Sequence, residues 1–218
     1  MKITAISDIH GYLPILNKCD VVCICGDIMP LNIQRDIKKS LKWLNTEFKE
    51  WIQELPCKKV IMTPGNHDFV FEKSSWVHDD KLSILIDQSY EFRGVKFYGT
   101  PWIQNLKNWA FNDDSGKAYD MIPYNIDVLL THMPPKINDY GRVMDWYAFN
   151  YLNDFGSEKL TENVKLKTPK YHIFGHVHTG DHQARQIGDT IYCNVSLKDE
   201  DYGIRYRQFE FELTGEDH

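Results

Sequence analysis

Asp and His stand one residue apart in "SDIHG", which supplies Asp8 and His10, and a second close pair, His176 and His178, stands in "FGHVH". Between them the chain places Asp27 in "GDIMP", Asn66, His67 and Asp68 in "TPGNHD", and His132 in "LLTHMPP". Carboxylate and amide oxygens mixed with imidazole nitrogens are ligand atoms for divalent transition-metal ions. Asp8, Asp27 and Asn66 with His10, His132, His176 and His178 offer three oxygen donors and four nitrogens. That is more than one tetrahedral zinc uses, and the cysteines of a structural zinc site are missing from the set. Two cations sharing one bridging carboxylate would use all of it, and a pair of ions about 3.5–4 Å apart is suited to phosphoryl transfer.

A lone Asp-x-His or His-x-His is ordinary in a solvated loop; here the elements that precede the residues give them weight. "KITAIS" (2–7), "VVCIC" (21–25), "KKVIMT" (58–63), "DVLLTH" (127–132) and "YHIFGH" (171–176) are short apolar, β-rich runs that read as buried strands. Each runs into one of the five polar motifs, so ligand types collect at the carboxyl ends of strands, where α/β folds bind their ligands. Glycines 11, 26, 65 and 175 lie beside them and allow tight turns toward one point.

From Ile37 the apolar residues Leu41, Leu44, Phe48, Trp51 and Leu55 recur at helical spacing, which predicts an amphipathic helix ended by Pro56. "LSILIDQ" (82–88) reads as a strand, "YEFRGVKFYGT" (90–100) and "ARQIGDTIYCNVS" (184–196) as hairpins, and "IRYRQFEFEL" (204–213) as a closing strand. Residues 101–126 and 133–170 read as insertions with short helices. The expected fold class is α/β, with strands in two packed sheets.

The 218 residues suit one domain, and 42% apolar composition supplies a sizeable core. A formal charge of −6 argues against nonspecific nucleic-acid or anionic-membrane binding. Five cysteines without framework spacing, with Cys23 and Cys25 inside a strand, read as buried small hydrophobes in a reducing compartment. "MKITAIS" passes directly into polar "DIHG", and no apolar run approaches a membrane span, so the expectation is a soluble cytoplasmic protein without a signal peptide.

The ordered set D-x-H-G, G-D, G-N-H-D, H, G-H-x-H over residues 8–178 resembles the calcineurin-like metallophosphoesterase superfamily. "THMPP" and "GHVHTGDH…NVSLKDEDY" are similar in particular to its branch of MPPED-type proteins and cyclic-nucleotide phosphodiesterases. The resemblance implies two mixed β-sheets packed as a sandwich with flanking helices, in a single domain spanning residues 1–218. It implies one divalent ion held by Asp8, His10 and His178, with Asp27 bridging to a second held by Asn66, His132 and His176. His67 would be a catalytic non-ligand facing the leaving group, with Asp68 on its other ring nitrogen, and Asn66 and His67 would touch substrate. Such enzymes hydrolyse phosphodiesters or phosphomonoesters by attack of metal-activated hydroxide. The mixed ligand set fits Mn, Fe, Zn, Co or Ni alike; the resemblance makes Mn²⁺ the first assay ion.

The phosphoprotein phosphatases of that superfamily carry "GDxVDRG" where this chain has "GDIMPLN", lacking the arginine, so a protein substrate is disfavoured. A nucleic-acid substrate is disfavoured by the acidic balance and the absence of room for a DNA-binding part. The expected partner is a small soluble phosphate ester such as a cyclic nucleotide; the sequence sets no oligomeric state. A catalytically silent metal-binding scaffold is the alternative of another class. Trp102, Trp109, Tyr140, Trp146 and Tyr147 are candidates to wall a pocket or to pack loops. His172 reads as structural, His182 as a surface residue, and His78 and His218 have no motif context.

Overall fold

A computed structural model describes residues 1–74, 76, 80–145 and 150–214. The elements run β1 (Lys2–Ile6), β2 (Val21–Cys25), α1 (Ile37–Trp43), a π-helical turn (Leu44–Phe48), α2 (Lys49–Glu54), β3 (Lys59–Thr63) and α3 (Phe69–Lys73). Then come β4 (Leu82–Ile84), β5 (Gln88–Phe92), β6 (Val95–Thr100), a 3-10 helix (Lys117–Met121), β7 (Val128–Thr131), β8 (Arg142–Asp145) and β9 (Asn150–Asp154). The chain continues through α4 (Glu158–Lys167), β10 (Tyr171–Phe174), β11 (Arg185–Ile187), β12 (Thr190–Asn194) and β13 (Phe209–Glu212).

Among the described residues the strands form a five-stranded sheet ordered β13-β1-β2-β3-β4, a six-stranded sheet ordered β11-β12-β10-β7-β6-β5, and the β8-β9 ribbon. β1 to β4 are mutually parallel, as are β6, β7, β10 and β12, while β13, β5 and β11 pair antiparallel at the edges. Alternation along each strand builds the layers. Ile3, Ala5, Val21, Cys23, Cys25 and Ile61 point into the space between the sheets and meet Phe97, Val128, Leu130, Ile173 and Cys193 of the other sheet. Their neighbours Val22, Ile24, Val60 and Met62 face outward and are covered by Trp43, Leu44, Phe48, Trp51 and Ile52 of the helical segment. On the far side Leu129, Phe174 and Tyr192 are covered by Tyr119, Tyr140, Leu160 and Val164. The expected two-sheet sandwich with flanking helices is thus present.

The differences from expectation have local causes. The long helix starts at Ile37, as the spacing predicts, after Asp36, whose carboxylate accepts the Lys39 amide at 3.1 Å as an N-cap. It widens to a π turn where Asn45 and Thr46 donate from their side chains to the carbonyls of Leu41 and Lys42, at 2.7 and 2.9 Å, competing with the backbone ladder. The closing strand is shorter than expected because the amides of Arg205 and Tyr206 both turn to the Leu197 carbonyl, at 2.9 and 3.1 Å, keeping that stretch out of the sheet. Both hairpins turn where expected, with Arg93, Gly94 and Gly188 at positive φ.

His172 is fully buried on β10. Thr131 donates its hydroxyl to the Met133 carbonyl at 2.6 Å, so the His172 Nε2 at 2.9 Å must donate to that hydroxyl oxygen. Its Nδ1 has no hydrogen-bond partner among the described residues, and burial lowers the pKa of the ring from 6.5 to about 3. The unfolded chain therefore binds a proton between these values that the folded chain does not, and stability falls with falling pH through that window. In metal-free protein, His172→Gln keeps a donor for Thr131 and is expected to flatten the dependence of unfolding free energy on pH between 6 and 4. The difference should approach ~1.4 kcal/mol per pH unit; identical slopes in urea titrations would refute the reading.

Candidate functional site

Five strand ends, three from one sheet and two from the other, deliver the polar motifs to one edge of the sandwich. Asp8 and His10 follow β1, Asp27 follows β2, Asn66 to Asp68 follow β3, His132 follows β7, and His176 and His178 follow β10. The loops are tied to each other by main-chain bonds: Asp8 N–H to Gly26 O at 3.0 Å, His10 N–H to Asp27 O at 3.0 Å, and Gly175 N–H to His132 O at 3.2 Å. Asp8, His10, Asp27 and His176 all have positive φ, between 42° and 71°, a conformation that costs non-glycine residues energy and concentrates at functional sites.

The approach depends on bare backbone beneath it. A Cβ on Gly175 would collide with the Ser7 hydroxyl and the Asp8 carboxylate, and one on Gly65 would meet Asp27 and the His132 ring. Gly175→Ala is expected to displace Asp8 and weaken metal binding by on the order of 10–100-fold, the cost typical of disturbing a ligand's support. Calorimetric titration with Mn²⁺ checks this; unchanged affinity would show that the close packing is not needed.

Three groups of side chains bring ligand atoms within 4.8 Å of one another: Asp8, His10 and His178; Asp8, Asp27 and His132; and His10, Asp27 and His67. They share members and so form one continuous cluster. His132 Nε2 lies 3.3 Å from Asp27 Oδ2 and 2.9 Å from Asn66 Oδ1, and His178 Nε2 lies 3.3 Å from Asp8 Oδ1. His176 stands alongside, its ring 4.9 Å from that of His132 and its amide donating to both Asp8 oxygens. His67 Nε2 is 3.7 Å from Asp27 Oδ2, and the His67 amide donates to Asp27 Oδ1 at 2.8 Å.

These residues fit a cation. His132 Nδ1 donates to the Cys25 carbonyl at 2.7 Å and His178 Nδ1 to the Asp199 carbonyl at 2.9 Å, which fixes both rings with Nε2 facing inward. In the neutral rings those nitrogens are bare lone pairs aimed at carboxylate and amide oxygens, so a positive charge must lie between them. Without a metal only protons can supply it. Burial opposes charging both rings, yet Asp27 and Asp8 raise His132 to about 9, and Asp8 with the Asp199 carbonyl raises His178 to about 9. Burial also opposes charge on Asp27, but His132 and His67 hold it ionised, well below the usual carboxylate range. Both ring nitrogens of His10 are buried without a hydrogen-bond partner among the described residues, although a buried imidazole ordinarily finds one. Burial lowers its pKa to about 4, leaving a neutral ring able to give a lone pair.

One expectation is corrected. Asp68 does not reach the ring of His67. Its two oxygens accept the amides of Gly65 and Asp27, at 2.9 Å each, and of Ile28 and Met29, at 3.0 Å each. Buried at the start of α3, the carboxylate is consumed in clamping the Asp27 loop to the "GNHD" loop. His67 Nδ1 instead meets Gln34 Oε1.

Three residues on the site's rim carry no motif. Gln34 belongs to the stretch before α1. Trp109 packs on His67 with ring centroids 4.4 Å apart, held there by the Ala110 amide bonded to the Asn66 carbonyl at 3.2 Å. Tyr202 sets its ring edge-on to His10 and His178, at 5.0 and 5.4 Å. The only sequence signal for these was the aromatic content of 101–126 and the "KDEDY" segment. Of the other pocket candidates, Tyr140 is fully buried and donates to the carbonyls of Gln183 and Tyr192, while Trp102 donates to Asp87. Trp146, Tyr147, His78 and His218 lie outside the described residues. His182 is not a free surface residue: it stacks on Tyr206 at 3.4 Å and donates to the His178 carbonyl at 2.9 Å.

Two mixed sheets with helices outside, and a buried Asp, Asn and His cluster at their shared edge, define a metallophosphoesterase-type α/β sandwich. A sequence profile of the calcineurin-like phosphoesterases matches residues 1–180, and the chain belongs to that family. It is similar to human metallophosphoesterase domain-containing protein 1, with 28% identity over 209 residues, covering 82% of this chain and 60% of the human protein. The chain thus spans about 60% of the length of that curated relative. It is also 29% identical over 239 residues to the Caenorhabditis elegans UPF0046 protein C25E10.12, covering 98% of this chain and 81% of that one. These relatives match the MPPED-like branch. Among solved structures, TT1561 of Thermus thermophilus shares the fold with a TM-score of 0.58, 17% identity and 88% of each chain covered. The phosphopantetheinyl hydrolase PptH of Mycobacterium tuberculosis shares it with a TM-score of 0.53, 13% identity, and 92% of this chain and 90% of that one covered. Among the described residues no helix is long and apolar enough to cross a membrane.

Proposed function

We propose that the chain is a phosphoesterase dependent on two divalent metal ions, acting on a small soluble phosphodiester or phosphomonoester such as a cyclic nucleotide. The observation that carries this reading is the set of inward-facing histidine nitrogens opposed to Asp8, Asp27 and Asn66 oxygens, in a family of phosphoester hydrolases. Asp8, His10 and His178 would hold one ion, Asn66, His132 and His176 the other, and Asp27 would bridge them. When bound, such ions make water nucleophilic near neutral pH and neutralise phosphoryl oxygens. Asn66 turns its amide NH₂ to a phosphoryl oxygen, and His67, beside Asp27 and under Trp109, passes a proton to the departing oxygen. Trp109 and Tyr202, against His67 and the His10–His178 pair, flank the place where the ester's organic part would lie.

The test is hydrolysis with added Mn²⁺ of bis-p-nitrophenyl phosphate, p-nitrophenyl phosphate, and 2′,3′- and 3′,5′-cyclic nucleotides. Turnover of at least one, abolished by chelation and restored by metal, supports the proposal. Inactivity on all of them with two ions bound would favour a silent scaffold.

A further inference from the structure

Most of the polar side chains at the site come from motif loops, but the group on the His67 ring does not. Among the described residues, only Gln34 makes a side-chain hydrogen bond to that ring, its Oε1 meeting Nδ1. An amide oxygen has no hydrogen to give, so Nδ1 carries the hydrogen and Nε2 is left facing Asp27 and the centre of the site. The ring is confined on its other sides by Trp109, tilted 46° at 4.4 Å, and by the His10 ring, edge-on at 4.7 Å. Gln34 is itself held in a fixed turn. The Ile33 amide bonds the Pro30 carbonyl at 3.1 Å, and the Ile33 carbonyl accepts the Asp36 amide at 2.8 Å and the Ser40 hydroxyl at 3.0 Å. Asp68 cannot take over this role, since its oxygens are occupied by four main-chain amides.

We propose that Gln34 is the positioning residue of His67, fixing the ring in its Nδ1–H tautomer and aiming Nε2 at the leaving oxygen of the ester. The inference rests on the phosphoesterase reading for its consequence, not for its geometry. In the step it serves, the ring enters as the imidazolium, carrying a solvent-derived proton on Nε2. A water-derived oxygen bonds to phosphorus as the bond from phosphorus to the leaving oxygen breaks, and the leaving oxygen takes the Nε2 proton. The ring ends as the neutral Nδ1–H form, whose hydrogen Gln34 accepts. A neutral amide supplies orientation without a charge, unlike a carboxylate in the same place. The dependence on Gln34 is therefore greatest for esters whose leaving alkoxide needs a proton, such as nucleoside or alkyl esters. It is least for p-nitrophenolate, which departs unprotonated.

Two measurements test this on the full chain. First, ¹⁵N NMR of the His67 ring in protein loaded with diamagnetic Zn²⁺, and again after chelation, should show the Nδ1–H tautomer in wild type. Gln34→Leu should lose that preference and Gln34→Glu should keep it. Second, kcat with Mn²⁺ is compared on an alkyl and a p-nitrophenyl ester of the same phosphate. Gln34→Leu should lower the alkyl-to-aryl ratio by about 10–100-fold, in the range of lost orienting partners, with KM changed less than kcat; Gln34→Glu should restore the ratio. A wild-type His67 in the Nε2–H tautomer, or a ratio unmoved in Gln34→Leu, overturns the proposal. If wild type hydrolyses neither ester, the phosphoesterase reading fails while the tautomer measurement still decides the role of Gln34.

Discussion

Asp27→Asn is expected to yield a folded protein that does not hold two metal ions and turns over phosphate esters on the order of 10³-fold more slowly or worse. Asp27 is 2% exposed, and its Oδ2 lies 3.3 Å from His132, 3.7 Å from His67 and 3.9 Å from His10. Among the described residues no other carboxylate makes ion-pair contacts with three of the site's histidines. An asparagine has the same shape, and its Oδ1 can still accept the His67 amide now bonded at 2.8 Å, so the loop should persist. What it removes is the negative charge between the two halves of the cluster. Several nitrogen donors would then converge on cations without the shared anion that offsets repulsion between two ions in close proximity. The measurement is metal content by mass spectrometry after desalting, beside kcat/KM and a circular dichroism spectrum. Two retained ions per folded chain would refute the bridging role.

His67→Ala separates a proton donor from a ligand. If His67 serves the leaving group, the variant should keep its metal content and lose about 10²–10⁴-fold in kcat on an ester with an alkoxide leaving group. The loss on a p-nitrophenyl ester should be much smaller. The geometry makes the test a real contest, because His67, His10 and Asp27 also lie close enough to share an ion. Loss of metal together with equal losses on both esters would make His67 a ligand. Trp109 stands on the ring, so removing the ring also opens space beside it. A His67→Gln variant, closer in volume, guards against reading that packing defect as chemistry.

The sequence was informative where one short run of residues contains its own cause. The apolar strands that end in Asp, Asn or His, the 4-3-4 apolar steps before Pro56, and the glycine turns all depend on neighbours within a few positions. Their physics is local propensity and periodicity. The family motifs were legible for the same reason, since each is only a few residues long. The π turn was not, because it arises from side-chain competition by Asn45 and Thr46 that periodicity does not register.

Pairings between distant loops were decided by tertiary structure alone. The family resemblance implies that Asp68 meets the His67 ring, but the path of the Asp27 loop presents three amides to that carboxylate and draws it away. His67 then finds its partner 33 residues earlier, in Gln34, whose type and position stand in no motif. Trp109 reaches the same ring because one amide of the 101–126 insertion bonds the Asn66 carbonyl. A chain's local preferences determine which groups it carries and the elements that hold them. Which hydrogen-bond donor meets which acceptor depends on where two sheets and their loops close against each other, and that closure is settled only when the whole core packs.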